Sequence, residues 1–138
     1  MNPTIRNIIG VVIGIVVGAF VNMNLINLGH SIFPPPPGID LTTMDGLKNY
    51  MPMMGYKDFI FPFLAHALGT MVGAFLAALI SATHKMRMAY IVGFFFFLGG
   101  MSMIVMVPSP LWFTFTDLVI AYIPMAWLGG RLAGEIMK

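Results

Sequence analysis

Four long runs of apolar residues dominate the hydrophobic pattern of this chain, at about positions 5–27, 59–82, 88–107 and 111–132. Each run is close to the ~20 mostly apolar residues that a helix needs to cross a bilayer. The second run is the most informative, because small residues recur along it at every fourth position. At helical spacing these residues share one face, against which another backbone can lie closely. The small residues are Ala65, Gly69, Gly73, Ala77 and Ser81.

The first apolar run carries a matching ladder of glycines. Gly10, Gly14 and Gly18 are spaced four residues apart, and Asn22 continues the same step. Such ladders usually serve close helix packing. We therefore expect a glycine-zipper contact between this ladder and the small-residue face of the second run, with Gly69 and Gly73 at its centre.

Residues 28–58 form the only long connection between the runs, and they contain four consecutive prolines from Pro34. Polyproline is extended. Thr42 or Thr43 can then cap a short helix that continues to about Tyr50. We expect this helix to lie on the membrane surface or over the bundle. In the last run, Pro124 predicts a kink.

Composition narrows the class of protein. Of 138 residues, 59% are hydrophobic and only 9% are charged, whereas average soluble domains are near ~25% charged. A net charge of +2 without a basic stripe gives no reason to expect a nucleic-acid partner, and the absence of cysteine excludes disulfides and thiolate chemistry. We predict one all-α membrane domain, an antiparallel four-helix bundle with a Pro-rich extracytoplasmic connection.

Charged residues indicate the orientation of this bundle. Positive residues cluster near both termini and in the turn between the second and third runs, whereas the long connection is close to neutral. By the positive-inside rule both termini are cytoplasmic, as expected for an integral protein of a bacterial inner membrane. The cytoplasmic cations are Arg6, Lys85, Arg87, Arg131 and Lys138.

Two ionisable side chains, His66 and Asp117, fall inside predicted spans, where such residues are functional candidates by default. At 1.5 Å per residue they lie ~10 Å and ~9 Å from the outer ends of their helices. Asn22 and Ser102 fall near the same level. We predict that these four residues form a polar site in the outer half of the membrane, which binds a ligand or exchanges protons. Two alternatives are a His–Asp hydrogen bond that only fixes helix register and an Asp117 that lies in interfacial water.

Other chemistry has less support. The chain contains no HExxH, GxGxxG, GxSxG or P-loop motif. A hydrolytic triad of Ser102, His66 and Asp117 can be drawn, but it lacks any local signature. The methionine groups near Met53 and Met103 are of a type that binds Cu(I), although methionine more often fills gaps in apolar packing. We assign no catalytic residue, metal or cofactor.

Two functional classes follow. The first is a small transporter or channel-like protein for a small solute or ion. It would act as a homo-oligomer, because four short spans enclose little volume. The alternative is a non-catalytic structural or accessory subunit of a larger membrane complex. In both cases the expected partners are the lipid bilayer and other membrane subunits.

Overall fold

The structure, a computed structural model, describes residues 1–138 and is all-helical, without β-strands. Four helical segments are long and apolar enough to cross a membrane: Pro3–Ile32, Tyr56–Ile80, Lys85–Met106 and Leu111–Ile136. The helices are α1 (Pro3–Ile32), α2 (Met44–Tyr50), α3 (Ile60–Ile80), α4 (Lys85–Met106), α5 (Leu111–Ile120) and α6 (Ile123–Ile136), with 3₁₀ turns at Met51–Met53 and Tyr56–Phe59.

Helix α1 extends beyond its apolar run. It begins after Asn2, whose side-chain oxygen accepts a hydrogen bond from the Thr4 backbone N–H at 2.8 Å. It ends at Ile32, five residues after the predicted end, because the helix is stopped by proline and not by the loss of apolar residues. Phe33 precedes Pro34, and a residue before proline is disfavoured in the helical conformation.

Close backbone contact joins α1 to α3. A Cβ atom added to Gly18 would lie 2.6 Å from the carbonyl oxygen of Gly69, and one added to Gly73 would lie 2.6 Å from that of Gly14. Real Cβ atoms essentially never approach another atom this closely. A Cβ on Gly10 would likewise lie 2.8 Å from Ser81 Oγ. These helices can therefore lie this close only with glycine at the contact positions.

Helix α3 is the centre of the bundle, because it contacts α1, α4, α5 and α6. Its interior neighbours are small, and the largest side chains that are fully buried are Val92, Thr70 and Ser81. Large apolar side chains lie outside instead, such as Phe94 and Phe95 of α4, which are 55% and 50% exposed. The packed core consists mainly of alanines: Ala74, Ala78, Ala89, Ala126 and Ala133.

The fourth candidate span is broken and not only kinked. Helix α5 ends before Ala121 and α6 begins after Tyr122, and both of these linking residues are buried. Pro124 lies in the first turn of α6. It has no N–H to donate to the carbonyl of Ile120 four residues earlier, so one helical hydrogen bond is lost at the break. Tyr122 takes φ −115° and ψ −79° there, which changes the direction in which its side chain leaves the chain.

The connection between α1 and α3 contains the short helix α2. Thr43 caps it, because its hydroxyl oxygen accepts the N–H of Gly46 at 3.0 Å. Just before it, the hydroxyl and the N–H of Thr42 both donate to Asp40 Oδ1, at 2.6 and 2.9 Å. These bonds favour the ionised carboxylate and lower the pKa of Asp40. Gly38 follows the prolines with a φ of +87°, a conformation that glycine adopts without strain.

Candidate functional site

His66 and Asp117 are in direct contact. His66 Nδ1 lies 2.8 Å from Asp117 Oδ1 and 3.0 Å from Oδ2. The hydroxyl of Tyr122 donates to Oδ2 of the same carboxylate at 2.9 Å. Asp117 is only 3% exposed, so its charge is removed from solvent and held by these two side chains. A carboxylate only accepts hydrogen bonds, so the imidazole donates from Nδ1 and its Nε2 remains for another partner.

The break in the fourth span explains how Tyr122 reaches this pair. In a continuous helix, residues five apart are not on the same face, and Tyr122 is five residues after Asp117. The break reorients the ring, which stacks on His66 with a centroid distance of 5.8 Å and receives the edge of Phe97 at 6.0 Å. Gly100 of α4 leaves room for the tyrosine hydroxyl, because any side chain there would collide with it.

A cavity of about 200 Å³ lies beside this group, between α1, α3, α4 and the break. Its polar lining residues are Asn22, His66, Thr70 and Tyr122. The remaining wall is smooth or apolar and consists of Ala65, Gly69, Phe96, Gly99, Gly100 and Met103.

Two of the polar residues that line the cavity are unsatisfied. Asn22 Oδ1 and Thr70 Oγ1 are buried and have no hydrogen-bond partner. Thr70 as a whole is only 1% exposed. Leaving such a buried group without a partner costs ~1–3 kcal/mol. Both residues line the same cavity, so their oxygens lie close to the space in which a molecule could bind.

Three of the four residues expected at one level belong to this arrangement, and Ser102 does not. Asn22 and His66 line the cavity, and Asp117 lies behind His66. Ser102 is exposed, and its hydroxyl donates to the carbonyl of Leu98 at 2.9 Å. Ser102 lies at the level of the site along α4, but it is on another face of the helix. The residues of this stretch that line the cavity are Gly99 and Met103. The hydrolytic triad drawn from the sequence is therefore not assembled.

Sequence reasoning missed two residues of the arrangement, Thr70 and Tyr122. A signal for Thr70 was present, because it follows His66 by four residues and so shares its helix face. No comparable signal exists for Tyr122, since its contact with Asp117 depends on the helix break. Of the methionines considered for copper, only Met103 lines the cavity.

The comparisons with known proteins leave the site to be interpreted by its own chemistry. No family model matches this chain, and no curated protein or solved structure is significantly similar to it. A partly exposed imidazole that is hydrogen-bonded to a buried carboxylate can exchange a proton or hold a polar ligand. They fall short of the three or more acidic or histidine side chains that would indicate a metal site.

Proposed function

We propose that this chain is an integral membrane protein that acts as a small transporter or channel-like protein for a small solute or ion. The four apolar helices support membrane insertion. With 30 residues, α1 is ~45 Å long, which exceeds the ~30 Å hydrocarbon core of a bilayer. The outward-facing phenylalanines of α4 suit lipid better than water.

The contacts between helices support an antiparallel arrangement of the spans. Gly10 lies against Ser81, whereas Gly18 lies against Gly69, so ascending positions on α1 meet descending positions on α3. The distribution of cations supports cytoplasmic termini. Arg6 Nε donates to the carbonyl of Ile80 at 2.6 Å, so the first cation of the chain shares one end of the bundle with the turn that follows α3.

The main support for the proposed function is the cavity beside His66. A His–Asp hydrogen bond that only fixed helix register would need no adjacent space and no unpaired oxygens. Here the pair borders a cavity of about 200 Å³ in which Asn22 and Thr70 lack partners. The broken span adds support, because membrane transporters often place their substrate sites at discontinuous helices.

Several copies are expected to act together. The cavity beside His66 holds only about 200 Å³, which is smaller than the ~300–1,000 Å³ of typical ligand pockets. Exposed apolar side chains on α1 and α4 provide surfaces for contact with lipid or with further copies. The proposed unit is therefore a homo-oligomer in a bacterial inner membrane.

The test is reconstitution of the purified chain into lipid vesicles. Flux of small ions and polar solutes is measured for the unchanged protein, for Asp117→Asn and for Gly134→Leu. Gly134 is the control, because an added Cβ there would meet no atom within 4 Å and the residue does not line the cavity. We expect flux that is lost with Asp117→Asn and retained with Gly134→Leu.

The same preparation distinguishes the accessory-subunit alternative. A transporter should keep its helical fold and a defined oligomeric state when purified alone. A chain that loses order in detergent until a partner protein is added, and that passes no solute in vesicles, would contradict the proposed function.

A further inference from the structure

The groups around the cavity can accept several hydrogen bonds. The amide oxygen of Asn22 and the hydroxyl of Thr70, which can accept or donate, have no partner. Tyr122 uses its hydroxyl hydrogen on Asp117, so its oxygen remains an acceptor. His66 binds the same carboxylate through Nδ1, and Nε2 of a neutral ring would be a further acceptor. A ligand with several hydrogen-bond donors can therefore satisfy these groups.

The charge around the cavity favours a cation. No lysine or arginine lines it, and the carboxylate of Asp117 contacts His66 directly behind the wall. The titratable groups that face His66 are Asp117 from α5 and Tyr122 from the break, whereas the parts of α1 and α4 that line the cavity contribute none. With a neutral imidazole the group carries one negative charge, and an uncompensated buried charge is costly.

The size and the aromatic walls limit the cation to a small one. The volume of about 200 Å³ corresponds to roughly seven water molecules at ~30 Å³ each. Phe96 and Tyr122 also line it, and aromatic faces attract ammonium groups.

We infer that the cavity bounded by Asn22, His66, Thr70 and Phe96 binds a small cation that carries N–H donors, an ammonium ion or a small primary ammonium. This inference rests on the proposed transport function and names the substrate class of the same site.

The test uses methylammonium as the probe with the full chain in phosphatidylethanolamine–phosphatidylglycerol vesicles. Uptake above that of protein-free vesicles is measured against urea, a small neutral solute with N–H donors, and tetramethylammonium, a cation without them. We expect saturable uptake of methylammonium and little uptake of the other two. Equal uptake of urea or tetramethylammonium would overturn the inference.

Two pairs of variants locate the site. Thr70→Val removes an unpartnered hydroxyl at nearly constant volume, so it should fold at least as well as the unchanged protein while methylammonium binds roughly tenfold more weakly. Thr116→Val makes the same change at an exposed position of α5 and should have no effect. Gly99→Leu adds a side chain at the cavity wall, where an added Cβ meets no atom within 4 Å, and should block uptake, whereas Gly134→Leu should not. Unchanged methylammonium uptake in both Thr70→Val and Gly99→Leu would refute the assignment to this cavity.

Failure of this inference can be told apart from failure of the transport function. If another solute crosses the vesicle membrane in an Asp117-dependent way and methylammonium does not, the proposed transport function is supported and the inferred substrate class is wrong. If no solute crosses the membrane and the purified chain is disordered alone, both the proposed transport function and this inference are wrong.

Discussion

Replacing Gly73 with alanine tests whether close backbone approach holds α1 against α3. The new Cβ would lie 2.6 Å from the carbonyl oxygen of Gly14 and 3.2 Å from Val92 Cγ1. The first distance is about 0.8 Å short of the 3.4 Å at which ordinary contact begins. A backbone carbonyl inside a helix cannot turn away, so the two helices have to separate.

The expected loss can be estimated from two opposing effects. Forcing an extra carbon into a packed interface costs ~1–3 kcal/mol, and replacing glycine by alanine within a helix returns ~0.5–1 kcal/mol. The net effect at Gly73 is a loss of about 0–2.5 kcal/mol in the free energy of unfolding, centred near ~1 kcal/mol. The matched control is Gly99→Ala in α4, where an added Cβ meets no atom within 4 Å. At Gly99 only the higher helix propensity of alanine contributes, so a gain of up to ~1 kcal/mol in the free energy of unfolding is expected.

The assay is unfolding of both variants in mixed micelles, followed by the loss of helical circular dichroism as a denaturing detergent is added. The midpoint for Gly73→Ala should fall and that for Gly99→Ala should rise or stay constant. If Gly73→Ala is as stable as Gly99→Ala, the backbone contact with Gly14 does not stabilise the fold.

Three other outcomes are expected. His66→Ala and Asp117→Asn should each destabilise the protein, and the double variant should lose less than the sum, because each single change breaks the same hydrogen bond and leaves the other partner unpaired; additive losses in detergent melts would contradict their contact. Tyr122→Phe should lower stability by ~1–3 kcal/mol, since Asp117 loses one of its donors, and an unchanged melting temperature would argue against that bond. In this cysteine-free chain, Met53→Cys should react with an impermeant reagent added outside cells and His84→Cys should not; the reverse pattern would refute the proposed orientation.

Much of the fold could be predicted because apolar run length and small-residue spacing depend only on helix geometry. The rise of 1.5 Å per residue also gave the shared depth of His66 and Asp117. The direction in which a side chain points around the helix axis is harder to predict, because each successive residue turns it by about 100° at 3.6 residues per turn. That is why Ser102, correct in depth, points away from the cavity while Met103 lines it.

The remaining features depend on tertiary structure. Pro124 indicated a disturbance, but the separation of α5 from α6 and the new direction of Tyr122 come from the buried surroundings of the break. The cavity itself is a property of four helix faces meeting, which no single stretch of sequence encodes. The end of α1 was misplaced because asparagines lowered the local hydropathy without stopping the helix, which continues to Ile32.

The scarcity of bulky side chains inside the bundle has a consequence for mutational tolerance. Soluble proteins accept changes mainly on their surface and exchange one large core residue for another. In this chain most buried positions hold alanine or glycine, so interior positions such as Ala77 and Ala126 have almost no larger substitute that fits. Outward positions such as Phe94 need only remain apolar. A saturation-mutagenesis map should therefore show narrow stripes that reject even one added methyl group, next to broad faces that accept any hydrocarbon side chain.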